Sequence, residues 1–286
     1  MTSKWQIVAI TSVAALGAVI YFADKVPAKD SLEHQTTVAA EVAKIDFVSE
    51  AKKLTTGPES EAVAKLESLA DAARNSDQKI QLLDSLVKLW DDNRKPAASA
   101  AVSQQLAEAS GKASDWYAAA DRYMMATRFV KDEAQKKQLY ESATSAFEKT
   151  LQLEPENLDA KAGLGVAYVE SAGLTGQPPM KGIGLLREVV AKDSTHINAQ
   201  LNLGYFAIQS GQFDKAIARF ELVKRIKPDF IEVNLYIADT YEKMGNKNEA
   251  IKNLEVYKSK LNDPVLVVEV DKYINELKNS ESTTTK

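Results

Sequence analysis

From Trp5 to Ala23 the chain reads WQIVAITSVAALGAVIYFA, 19 residues without Asp, Glu, Lys or Arg. A helix rising about 1.5 Å per residue would cross most of a hydrocarbon layer about 30 Å thick with that length. Trp5 at one end and Tyr21 with Phe22 at the other suit the two interfaces. The pattern predicts a transmembrane anchor or uncleaved signal over 1–23. A cleaved signal peptide is the alternative, because Lys4 supplies a positive start and Val26-Pro27-Ala28 offers small residues to a peptidase. Beyond Asp24, helix formers dominate, prolines fall at segment boundaries, and no run sustains period-2 alternation. The fold class expected is therefore all-α.

An internal period organises these helices. Placing 197–230 above 231–264 pairs Leu203 with Ile237, Gly204 with Ala238, Gly211 with Gly245, Ala216 with Ala250 and Phe220 with Leu254, each 34 residues apart. Small residues at fixed places let two helices approach closely, while the large apolar ones fill the space between successive pairs. This period, the small positions and Pro228 closing the unit resemble the tetratricopeptide-repeat (TPR) family. The resemblance implies an α-solenoid of four to five helix-turn-helix units, and with the apolar run it is nearest to bacterial membrane-anchored members of that family.

Working backwards, Leu164, Gly165 and Tyr168, followed by Gly182, Leu186 and Val189, place a unit at 158–196. Its 39 residues are expected to hold a five-residue insertion in the turn SAGLTGQPPMKG, so that replacing Gly173–Lys181 by a short turn would leave folding intact. Trp116, Tyr123, Ala143, Phe147 and Pro155 mark 113–157, and Leu86, Trp90, the Lys95-Pro96 break, Ala98 and Val102 mark a weaker unit at 80–112. Asp263-Pro264 opens a capping helix over 265–279, since an N-cap and a first-turn proline start helices well. Residues 280–286, SESTTTK, have nothing to bury and are expected to be disordered. The stretch 24–79 reads as a helical spacer or degenerate repeats, with helical patterns around 31–54 and 59–74.

Composition narrows the function. Thirty-six basic against 40 acidic residues give a net charge of -4, an even mixture with no field to gather a phosphate backbone, so no nucleic-acid partner is expected. The absence of cysteine removes disulfides, thiolate metal sites and cysteine nucleophiles. His34 and His196 are the two histidines, the latter in the turn Asp193-Ser194-Thr195-His196, and no phosphate-loop, zinc-helix or nucleophile-elbow string occurs. No catalytic residue, cofactor, metal or small-molecule substrate is expected, and the chain reads as a non-enzyme.

In TPR proteins the first helix of each pair lines a concave groove, and the resemblance carries that role onto matching positions here. The unit from 197 supplies Asn198, Leu201, Tyr205, Ile208 and Gln209, and the one before it Ala162, Val166, Val169 and Glu170. Tyr117, Asp121, Met124 and Met125 come from 113–157, and Leu235, Asp239, Glu242 and Lys243 from the last unit. Asn202 occupies a position that grips carboxylates in some relatives, but Ala162, Val166, Glu232 and Tyr236 stand where the other cationic or amide groups of that clamp would be, so acidic tails are not the expected ligand. An apolar centre with acidic rims implies a protein or peptide partner with apolar anchors and basic flanks. The implied role is a scaffold or adaptor in a membrane or cell-envelope assembly. The expected location is the bacterial inner membrane, single-pass, held through residues 5–23 with the repeats in the periplasm. A soluble periplasmic protein and a cytoplasmic-facing docking receptor are the alternatives.

Overall fold

The computed structural model describes residues 44–279, which form thirteen helices and no strand. In chain order these are α1 Phe47–Lys53, α2 Pro58–Asp71, α3 Ser76–Asp92, α4 Pro96–Ser110, α5 Ala113–Ala126, α6 Glu133–Leu153, α7 Leu158–Thr175, α8 Pro179–Lys192, α9 Ile197–Gln209, α10 Phe213–Ile226, α11 Val233–Lys243, α12 Lys247–Ser259 and α13 Pro264–Asn279. Two compact units divide between Val189 and Val190.

Local chemistry starts and stops the helices. Carboxylate or amide oxygens of Asn75, Asp132 and Asn157 accept from the backbone N–H three residues on at 2.8–2.9 Å, satisfying one of the donors a helix start leaves open. Prolines lead α2, α4, α8 and α13, where a missing N–H costs nothing. Gly211 and Gly245 end α9 and α11 with φ of 71° and 77°, and the residue after each donates back five positions at 2.8 Å, Gln212 to Ala207 and Asn246 to Tyr241. At the end of α3 the same closure, Lys95 to Trp90 at 2.9 Å, places Arg94 at φ 55°.

In the N-terminal unit, Val63, Leu83, Leu86, Trp90, Ala98 and Val102 form a core across α2, α3 and α4. A second core joins Ala100, Tyr123, Ala126, Leu139 and Ala143 across α4, α5 and α6, and a third joins Phe147, Leu164 and Tyr168 across α6 and α7. The pair α7 and α8 cross at Gly165 and Gly182, where a methyl on Gly182 would stand 2.2 Å from the Gly165 carbonyl oxygen. In the C-terminal unit, Ala216, Phe220, Val223, Val233 and Ile237 hold α10 and α11 together, and Ala238, Leu254, Val270 and Ile274 seat α13. Gly204 lies against the Phe220 ring, 2.5 Å from where its methyl would be.

Two expectations change. The five-residue insertion is not extruded into a turn: α7 has 18 residues against 13 in α9, while the connections 176–178 and 210–212 match in length. Helix formation simply continues through Gly173, which meets no neighbour, and stops at Gly176 in the left-handed conformation. The single-pass inner-membrane location is also corrected. Among the described residues no helix is long and apolar enough to cross a membrane. The two longest that were candidates by length are α6, with six charged residues from Glu133 to Lys149, and α7, with Asp159, Lys161 and Glu170. The run 5–23 that carried the expectation, and the tail 280–286, lie outside the described residues.

Candidate functional site

On α9 the faces separate cleanly. Ala199, Gln200, Leu203, Gly204, Phe206 and Ala207 are buried, whereas Asn198 and Gln209 are exposed and Asn202 and Tyr205 half-buried. The last four stand at spacings of four, three and four, one stripe along the helix. The Asn202 amide donates to the Asn198 carbonyl at 2.8 Å, and the Tyr205 ring meets Phe206 edge-on at 5.7 Å. Of the apolar residues Leu201, Tyr205 and Ile208 that the family resemblance assigns to a groove, Ile208 is 8% exposed and belongs to the core around Phe220, and Leu201 packs against that same cluster. The surface of this helix is thus polar and aromatic rather than aliphatic.

On α11, in the same unit, Leu235 packs into the cluster that seats α13. Asp239 pairs with Lys243 at 3.3 Å; burial lifts its carboxyl above the ordinary range and Lys243 opposes that shift. Glu242 accepts a hydrogen bond from the Tyr273 hydroxyl of α13, and burial followed by that carboxylate raises the phenol.

In the N-terminal unit, Tyr117 sits edge-on to Phe147 at 5.8 Å, and burial, then Asp159 and Asp121, push its hydroxyl up. Asp121 is exposed, Met124 packs between two core clusters, and Met125 is 49% exposed. Ala162 is buried, Val166 is half-buried, and Val169 lies against Gly182. Glu170 is at the surface and accepts from the Tyr140 hydroxyl at 3.3 Å.

Sequence reasoning missed a set of tyrosine–glutamate bonds between helices. Tyr168 of α7 donates to Glu148 of α6 at 2.8 Å while Tyr140 of α6 donates to Glu170 of α7, and Lys181 lies 3.8 Å above the Tyr168 ring. The partners are 20 to 31 residues apart, so no local spacing signals them. His196, in the turn before α9, caps that helix: its Nδ1 accepts from the Ala199 N–H at 3.2 Å. Among the described residues no group of three or more His, Asp or Glu side chains could hold a metal ion.

The tetratricopeptide repeat model matches residues 197–230 and 231–255. A solved tetratricopeptide repeat protein from Parabacteroides merdae superimposes with a TM-score of 0.55 at 14% identity, covering 84% of this chain and 93% of that one, a likeness of fold. YrrB, described as a TPR protein with an unusual peptide-binding site, gives a TM-score of 0.42 at 21% identity, covering 67% of this chain and 91% of its own. A MamA structure gives 0.44 at 19%, covering 67% and 97%. No curated protein matches the chain. Tetratricopeptide repeats are generally protein-interaction scaffolds rather than catalysts. Residues 197–230 and 231–255 of this chain are thus tetratricopeptide repeats, set within an all-helical fold like that of a solved tetratricopeptide repeat protein.

Proposed function

We propose that this protein is a non-catalytic adaptor whose repeats, divided as 80–112, 113–157, 158–196, 197–230 and 231–264, bind a peptide segment of another protein. The observation that carries this reading is the surface stripe Asn198, Asn202, Tyr205 and Gln209 on α9, opposite a face wholly used by the core. Two amides and a glutamine offer donors and acceptors to a peptide backbone, and the tyrosine adds an apolar face with a hydroxyl. Asp239 and Glu242 on α11 place carboxylates in the same unit, which favours basic residues flanking the apolar anchor. Tyr117 and Asp121 take the same role in the N-terminal unit, where Met124, Val166 and Val169 support the surface from beneath as Leu201, Ile208 and Leu235 do in the C-terminal one.

The test begins with peptides selected from a random display library on the wild-type chain. Tyr205→Ala is expected to weaken a selected peptide by about 2 kcal/mol, roughly thirtyfold. Lys215→Ala on α10 is expected to leave affinity unchanged, with melting curves recorded for all three chains. A folded Tyr205→Ala chain that binds as well as wild type would remove α9 from the site.

A further inference from the structure

The segment entering α1 is held in the way a bound peptide is held. Lys44 and Asp46 are exposed while Ile45 is half-buried, a short extended stretch lying on a surface, and Phe47, 7% exposed, follows it as the first residue of α1. One side chain grips its backbone: Gln138 Oε1 accepts from the Ile45 N–H at 2.7 Å, and Gln138 Nε2 donates to the Ile45 carbonyl at 2.7 Å. A single amide thereby reproduces the donor–acceptor pair that a neighbouring strand would present. The side chains of Ile45 and Phe47 enter a cluster formed by Ala100 of α4, Tyr123 and Ala126 of α5, and Leu139 and Ala143 of α6. Three alanines there, each fully buried, leave room for the aromatic ring.

We propose that this α4–α5–α6 surface is a binding site for a segment of another protein that carries an aliphatic residue on an extended stretch and, two positions later, an aromatic one opening a helix, and that Ile45–Phe47 fill it in cis. Recognition rests on backbone groups and two apolar side chains, so it is not restricted to this chain's own sequence. Beyond Ile45 and Phe47 the occupant is fastened at Ala51, which is buried, and at Val48, which packs on the α2–α3–α4 core. It continues into a helix of seven residues, too short to be stable alone, and into Leu54, which is 73% exposed. The Lys52–Glu67 pair that ties α1 to α2 joins an exposed lysine to a half-buried glutamate at the surface, a kind of pair that contributes little. Tethering still gives the cis segment a high effective concentration, so a partner binds weakly until the segment is loosened. The site is separate from the α9 surface, and either can fail without the other.

The probe is a fluorescent peptide with the sequence of residues 41–52, EVAKIDFVSEAK, added to the full chain and followed by anisotropy. Phe47→Ser loosens the cis occupant and leaves the site intact, so it is expected to bind the probe at least about tenfold more tightly than wild type. Adding Gln138→Leu to Phe47→Ser is expected to abolish that gain, and a probe with its phenylalanine replaced by serine is expected not to bind. Should Phe47→Ser fail to melt cooperatively, Ile45→Ser, at a half-buried position, replaces it under the same criterion. A cooperatively folded loosened chain that binds the probe no better than wild type, or binds it equally well with Gln138→Leu, overturns the proposal.

Discussion

At the scale of residues, the fold depends on places where a side chain would not fit. A methyl on Gly182 would meet the Gly165 carbonyl oxygen at 2.2 Å, backbone against backbone, and relief requires α7 and α8 to part. Gly182→Ala is therefore expected to lower stability by about 1–3 kcal/mol. Two residues on, Gly184 has nothing within 4 Å, so Gly184→Ala in the same helix is expected to raise stability by about 0.5–1 kcal/mol. Denaturant melts of the two variants should move in opposite directions. Arg94 presents the converse: a branched-free but full side chain stands at φ 55°, where the corresponding closures use glycine. Arg94→Gly should gain about 0.5–1 kcal/mol, the left-handed penalty less the extra freedom of an unfolded glycine.

Buried phenols add a pH dependence. Burial raises Tyr123 and Tyr140 to about 12, with Glu108 and Glu170 respectively pushing the same way. Below the ordinary phenol value of about 10 both folded and unfolded forms are protonated and their contribution is complete. Between about 10 and 12 the unfolded chain releases these protons while the folded chain retains them, so stability falls as pH rises through that window. Tyr140→Phe should show a shallower alkaline decline in denaturant midpoint than wild type; an identical decline would mean that Tyr140 does not titrate on unfolding.

At the scale of elements, the helices were legible because their signals are local. Prolines at first turns, asparagine and aspartate caps, and small residues recurring every 34 positions each act within a few residues or one repeat. The insertion in 158–196 was misread because Gly173 and Gly176 both look like turn formers, yet only Gly176 takes a left-handed φ, of 70°. Replacing Gly173–Lys181 by a short turn would remove the start of α8 and the Lys181 cation above Tyr168. Such a chain is expected to lose about 1 kcal/mol or more and to melt earlier, rather than to tolerate the change. The Gln138–Ile45 clamp was not legible, since its partners lie 93 residues apart and neither belongs to a periodic pattern. The division of the α9 surface was half legible: the family resemblance assigned Leu201, Tyr205 and Ile208 alike to a groove, but whether an aliphatic residue faces solvent or the next helix is decided by packing, here against Phe220 and Val233.

At the scale of the molecule, an even charge mixture and a chain without cysteine leave shape and side-chain chemistry as the means of recognition. Asp121 is exposed on α5 of one compact unit, and on α11 of the other Asp239 pairs with Lys243 while Glu242 accepts from Tyr273. The central claim is that a partner peptide lies along α9 of the C-terminal unit. It is tested most directly by placing a photoreactive amino acid at Asn202 or at Lys215 and mapping, by mass spectrometry, cross-links to a peptide selected on the wild-type chain. The account predicts cross-links from position 202 that are suppressed by excess unlabelled peptide, and none from position 215 on α10. Cross-links from 215 with none from 202 would contradict it.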